Sequence, residues 1–235
     1  MDKIAEYKYF VCPICKRRDI AGRLDQKCRE ESGLVRFMGS PLPYSNELVK
    51  KIIYAFKYRR AREIANPLSK ILIEFLDKNG FSEYIEKRKL KTLIIPVPLY
   101  DFRERERGFN QAAELAKIIS ANYGLPFSDK AIIRKKNTLP QADIKTREER
   151  AKNISGAFSC ENPEITQNKI AILVDDVYTS GNTMRECALV LKNAGLPDRQ
   201  AGLHDRQTGL HDRQTGLPAG QAGAAEVWGM TVARG

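Results

Sequence analysis

The sequence predicts an α/β fold, a doubly wound and mostly parallel sheet behind a small, zinc-ribbon-like cysteine knuckle. Three observations lead there. Residues 92–97 (T-L-I-I-P-V) and 170–174 (I-A-I-L-V) are apolar without alternation, as in strands buried on both faces of a parallel sheet. Helical patterns surround both runs. Cys12 and Cys15 form a C-x-x-C near the start, and Cys28 follows. A chain of 235 residues holds one such domain and an appendage, with the knuckle at 1–40 and the α/β domain at 41–235.

Composition narrows the class. Five cysteines, an odd number, argue against a disulfide framework and for thiols or metal. The net charge of +11 calls for anionic partners. A phosphorylated ligand alone would require a basic cleft, so the charge supports phosphate binding without establishing nucleic-acid binding. The apolar runs are far too short to span a membrane, and no signal-peptide pattern opens the chain. The expectation is a cytoplasmic protein without membrane insertion.

In chain order, V-C-P-I-C-K sets Cys12 and Cys15 at the spacing of half a zinc knuckle, with Cys28 as third thiol. Asp25 is the candidate fourth ligand, because D-x-x-C mimics the missing half; oxygen is a less usual ligand for Zn²⁺. Structural zinc and free thiols both stay open. Ser45 can cap a helix to about Tyr58 that buries Leu48, Ile52 and Phe56. The basic cluster Lys57, Arg59, Arg60 and Arg62 at its end reads as a solvated helix terminus. Asn66 and Pro67 can start a second helix that stops before Gly80 and buries Ile71, Leu72, Phe75 and Leu76.

The strand at 92–97 exits through two prolines into L-Y-D-F-R-E-R-E-R-G-F-N-Q. Arg103, Arg105 and Arg107 alternate with glutamates, Gly108 breaks the run, and Asn110 can cap a helix to about Tyr123. Arginines beyond the C-terminal end of a parallel strand are placed for forked contacts to phosphate. A salt-bridged loop is the plainer alternative. Residues 135–150 are polar and poorly patterned, either a lid or an ordinary surface loop.

The stretch at 170–183 reads I-A-I-L-V-D-D-V-Y-T-S-G-N-T. A loop of small and hydroxyl residues before a helix aims backbone N–H groups at one point, where the dipole favours an anion. Gly181 allows close approach, and Thr179, Ser180 and Thr183 add hydroxyl donors. Asp175 and Asp176 would repel that anion and suit hydroxyls or a divalent metal beside it. A phosphate next to a diol describes a sugar phosphate. Residues 197–224 carry four copies of a seven-residue unit (PDRQAGL, HDRQTGL, HDRQTGL, PAGQAGA), a low-complexity insertion between a helix ending near Gly195 and a strand at 226–232.

The run ILVDDVYTSGNT resembles the signature of type I phosphoribosyltransferases. P-V-P-L followed by R…R-G-F-N-Q resembles the ComF (late competence protein) branch, as do Y-A-F-K-Y-R-R at 54–60, T-L-P-Q-A at 138–142, R-A-K-N-I-S-G-A-F at 150–158 and the closing A-R. The resemblance implies a sheet of phosphoribosyltransferase type that binds phosphoribosyl pyrophosphate (PRPP) with Mg²⁺. Thr179, Ser180, Gly181, Asn182 and Thr183 would hold the 5′-phosphate, and Val177 would also belong to the PRPP site. Asp175 and Asp176 would face the ribose hydroxyls or the metal, as the catalytic pair, and Arg103 and Arg107 would meet the pyrophosphate. The implied reaction passes the phosphoribosyl group to a nucleobase or related nitrogenous acceptor and releases pyrophosphate. The alternative is a non-catalytic module in DNA uptake or recombination, with single-stranded DNA and a competence ATPase as partners. The acceptor is not legible.

Overall fold

The computed structural model describes residues 7–138, 146–195 and 223–235. Its first helix, α1 (Gln26–Ser32), is capped by Asp25. Two short strands, β1 (Arg36–Phe37) and β2 (Leu42–Pro43), lead into α2 (Glu47–Tyr58). Asn46 rather than Ser45 caps α2, its side chain accepting from Leu48 N and Val49 N. The buried face is therefore Val49, Ile53 and Phe56, while Leu48, expected inside, is 51% exposed. A 3₁₀ turn precedes α3 (Ala65–Lys78), which buries Leu68, Leu72, Phe75 and Leu76. The short α4 (Phe81–Glu86) then leads to β3 (Thr92–Pro96).

The arginine-rich segment after β3 is a helix, α5 (Asp101–Arg107), where the sequence suggested a loop. Its alternating charges are neighbours in sequence, but three- and four-residue spacing decides what shares a helical face. Arg103 and Arg107 are accordingly half-buried together while Arg105 is exposed. Asn110 caps α6 (Gln111–Tyr123), as the sequence indicates. Two two-residue strands, β4 (Ile133–Arg134) and β5 (Phe158–Ser159), pair antiparallel around α7 (Arg147–Ile154). A capping box from Thr146 and Glu149 starts α7, so part of the segment read as a lid or loop is helical. Residues 139–145 lie outside the described residues.

Finally come β6 (Ile170–Tyr178), α8 (Asn182–Lys192) and β7 (Glu226–Arg234). The central sheet runs β1, β7, β6, β3, with β2 also on β7, and every pairing in it is parallel. Both faces are covered, which accounts for the unbroken apolar runs. Ile170, Ile172 and Val174 point into a core shared with α2, α3 and α6; Ala171 and Leu173 point into one shared with α1 and α8. Fully buried side chains of this kind contribute roughly 1.5–3 kcal/mol each. Trp228 is the largest of them.

Three details differ from the sequence reading. First, β6 runs through Asp175 and Asp176 to Tyr178, because β7 keeps pairing with it as far as Tyr178 and Arg234. Second, β1 lies in the central sheet, so a boundary at residue 40 falls within a sheet edge. Gly39 lets that edge approach, since a Cβ there would stand 2.7 Å from Thr231 N. Third, Gly223 and Ala224 belong to the folded body. Gly223 O accepts from Asn168 N at 3.1 Å, and Ala224 N donates to Leu191 O at 3.0 Å. The rest of the repeat lies outside the described residues. Among the described residues, no helix is long and apolar enough to cross a membrane.

Candidate functional site

Because the strands are parallel, their C-terminal ends share one edge of the sheet, where open α/β folds place ligands. A cavity of about 360 Å³ opens there, between the ends of β3 and β6. Among the described residues, five cationic side chains line it: Lys57 from α2, Arg103 and Arg107 from α5, Arg134 from β4 and Arg150 from α7. Against them stand two carboxylates, Asp175 and Asp176. The balance favours an anionic ligand.

The end of β6 turns into α8 through Thr179, Ser180 and Gly181. Gly181 has φ +77°, a left-handed value that suits glycine, and a Cβ there would collide with the Tyr178 phenol. Tyr178 is itself fixed edge-on against Phe37, ring centroids 5.1 Å apart. No side chain caps α8. Its first backbone N–H groups therefore have no intrahelical partners and stand at the positive end of the helix dipole. Thr179 and Thr183 border the main cavity, while Ser180, Gly181 and Asn182 line an adjoining recess of about 30 Å³. Such a turn can accept a phosphate.

The acidic pair sits in a low-dielectric spot. Asp176 is 5% exposed, and its Oδ2 is buried without a hydrogen bond of good geometry. Lys57 Nζ lies 3.1 Å from that oxygen. Asp175 Oδ1 accepts from the Asp176 backbone N–H at 2.8 Å. Burial, then the neighbouring Asp176 charge, push the Asp175 carboxyl up to about 7 against the opposing pull of Lys57 and Arg134. Burial disfavours the Lys57 ammonium, but Asp176 and Asp175 outweigh it and hold its pKa above the ordinary value. Two adjacent carboxylates, with Asp176 Oδ2 lacking a hydrogen bond of good geometry, can take a divalent cation. The residues thus fit Mg²⁺, which binds through one or two carboxylates together with ligand phosphates.

The arginines are held by the frame around them. Arg107 Nη1 donates to Gln111 Oε1 at 3.0 Å, and Gln111 Nε2 donates to Phe56 O at 3.1 Å, tying α5 to α2. Arg107 also lies over the Tyr58 ring, 5.1 Å from its centroid. Arg103 and Arg134 donate to the carbonyl and hydroxyl of the same residue, Thr138. Arg134 Nε is buried without a partner. Burial and the nearby Arg103 hold the Arg134 pKa below its ordinary value. A bound anion would relieve that strain of like charges.

The cysteine cluster is separate from the cavity. Ligand atoms of Cys12, Cys15 and Cys28 lie within 4.8 Å of one another. Ile14 N–H and Cys15 N–H both donate to Cys12 Sγ at 3.4 Å. The Arg17 backbone N–H lowers the Cys15 thiol below its ordinary range, and burial pushes Cys28 up. Asp25 stands beside the cluster with Oδ2 3.6 Å from Cys15 Sγ. Its Oδ1 accepts from Cys28 N at 2.9 Å, and Oδ2 pairs with Arg17 at 2.9 Å. Three converging sulfurs fit Zn²⁺.

The structure thus brings Asp175, Asp176, Val177, Thr179, Thr183, Arg103 and Arg107 to one cavity. Sequence reasoning did not count Lys57, Arg134 and Arg150 as site residues. Lys57 lay inside a basic cluster that reads as a helix end, and Arg150 lay in a motif given no role. For Arg134 the sequence carries no signal, since a lone arginine in a charged stretch is ordinary.

The model of the phosphoribosyl transferase domain matches residues 60–203. Competence protein F of Haemophilus influenzae is 32% identical over 149 residues, an alignment covering 63% of this chain and 63% of that protein. DNA utilization protein YhgH of Escherichia coli O157:H7 is 30% identical over 206 residues, covering 78% of this chain and 85% of that protein. Competence protein ComFC of Bacillus subtilis is 29% identical over 201 residues, 82% of this chain and 76% of that protein.

Proposed function

This chain belongs to the phosphoribosyl transferase domain family, and its similar relatives carry competence and DNA-utilization names; from that premise we propose that its cavity binds PRPP with Mg²⁺. The observation that carries this reading is one cavity in which a phosphate-accepting turn, an acidic pair and five cations converge. The 5′-phosphate takes the turn from Thr179 to Thr183 and the N–H groups of α8. Asp175 and Asp176 accept from the ribose hydroxyls. Arg103 and Arg107, with Lys57 and Arg134, meet the pyrophosphate.

The arrangement suits transfer of the phosphoribosyl group to a nitrogenous acceptor. As the bond from C1 to pyrophosphate breaks, positive charge grows on the ribose, and the acidic pair stabilises it. The arginines stabilise the negative charge growing on the leaving group. Mg²⁺, when bound, supplies further neutralisation of that pyrophosphate. The knuckle holds structural Zn²⁺ through Cys12, Cys15 and Cys28; Asp25 Oδ2, 3.6 Å from Cys15 Sγ, becomes the fourth ligand only by giving up Arg17. A cytoplasmic setting matches reduced thiols and this ligand.

A second reading keeps the binding site and drops the chemistry: a competence module acting in DNA uptake with single-stranded DNA and an ATPase. The competence and DNA-utilization names of the relatives support the role in DNA handling, though not those partners. Calorimetric titration with PRPP and Mg²⁺ tests the proposal. Saturable binding that weakens at least tenfold in the Asp175→Asn/Asp176→Asn double variant is expected. No heat with the wild-type chain would refute PRPP binding and leave the scaffold reading. Pyrophosphate release with a panel of nitrogenous acceptors then separates enzyme from module.

A further inference from the structure

Lys57 stands on the last turn of α2 and reaches Asp176 on β6 across the sheet edge, Nζ to Oδ2 3.1 Å. Several charged groups surround this contact. Asp175 comes from β6, Arg103 and Arg107 from α5, Arg134 from β4 and Arg150 from α7, all lining the same cavity. Arg107 repels the ammonium, so the two carboxylates hold it in place. Asp176 Oδ2 is buried and lacks a hydrogen bond of good geometry. The oxygen is thus matched to a cation by charge rather than by directed bonding. Mg²⁺ would sit about 2.0–2.1 Å from a carboxylate oxygen. An ammonium 3.1 Å from Oδ2 competes with a metal for that oxygen.

We propose that Lys57 is an internal countercation that keeps free divalent metal off the Asp175–Asp176 pair until the ligand carries the metal in. The inference rests on the PRPP–Mg²⁺ reading above. In the unliganded protein the ammonium supplies the positive charge that the buried acids need. When the polyanionic ligand arrives with its metal, the metal takes over the acids and the ammonium turns to the phosphates in the same cavity. Lys57 thus sets the order of binding, with the metal entering as the ligand complex.

The probe is Mn²⁺ alone, followed by its electron paramagnetic resonance signal, against the full chain. Wild type should bind Mn²⁺ weakly without PRPP and far more tightly with it. Lys57→Met, which keeps the aliphatic stem but not the charge, should bind Mn²⁺ alone roughly tenfold more tightly than wild type, or better, because two carboxylates lose their competing cation. Lys57→Arg keeps the charge and should hold Mn²⁺ alone as weakly as wild type does. A merely structural lysine would not produce that split. If Lys57→Met fails to fold by thermal melt, Lys57→Gln is read in the same way. The wild-type arm needs no variant: Mn²⁺ held as tightly without PRPP as with it overturns the inference. Equal affinities of wild type and Lys57→Met for Mn²⁺ alone also overturn it, whatever the variant's affinity for PRPP. Loss of PRPP binding by wild type itself would instead remove the reading on which it rests.

Discussion

Changing Asp175 to Asn should stabilise the unliganded protein above neutral pH while weakening its ligand. Burial and the Asp176 charge raise the Asp175 carboxyl from its ordinary 3.8 to about 7. At 1.36 kcal/mol per pH unit, the charged form is disfavoured in the fold by roughly 4 kcal/mol as an upper bound. Charges inside proteins are screened more than a dry interior implies, so a measured value of about 1–3 kcal/mol is expected. The native state holds a proton that the unfolded chain has already released between about pH 4 and pH 7. Unfolding therefore releases protons in that window, and stability falls as pH rises through it. The cost is fully present above pH 7 and absent below about pH 4. Urea unfolding at pH 5 and pH 8, without ligand or metal, measures the difference. Wild type should lose more stability than Asp175→Asn on going from pH 5 to pH 8, and the variant should be the more stable at pH 8. PRPP–Mg²⁺ should narrow that gap in wild type, because the metal sets positive charge against the acids and the ribose hydroxyls donate to them. An Asp175→Asn protein that is less stable at pH 8, or that follows the wild-type pH dependence, would refute this account of the acidic pair.

Two further outcomes concern the parts outside the cavity. Purified protein should carry about one zinc per chain by elemental analysis, and Cys12→Ser should lose it together with several degrees of melting temperature, since Cys12 is buried in the core beside α1. Zinc content unchanged in Cys12→Ser would exclude that sulfur as a ligand. Deleting residues 197–222 should leave melting temperature and PRPP affinity unchanged, because Ala224 N already bonds Leu191 O at 3.0 Å and a short connection can close the gap. A fall in affinity in the deletion would place the repeat near the ligand instead.

What the sequence determined by itself is the chemistry that depends on a few adjacent residues. Unbroken apolar runs declare doubly covered strands, and Asn110 is the cap that it reads as. The turn from Thr179 to Gly181, left-handed at Gly181, is written in small and hydroxyl residues. Cys12, Cys15 and Cys28 announce a cluster by spacing alone. These signals survive without a fold because backbone geometry and loop chemistry are local. The tertiary structure decided the rest. It set Asp175 and Asp176 within a strand, since only pairing with β7 could carry β6 past them. It turned an alternating arginine run into a helix with Arg103 and Arg107 on one side. It made residues before 44 an edge of the central sheet. It also brought Lys57, Arg134 and Arg150 to the acids from three separate elements. A lysine at the end of an amphipathic helix has the same local pattern whether it faces water or a buried carboxylate. The packing of α2 against the sheet edge alone distinguishes the two, and here it sets the ammonium against Asp176.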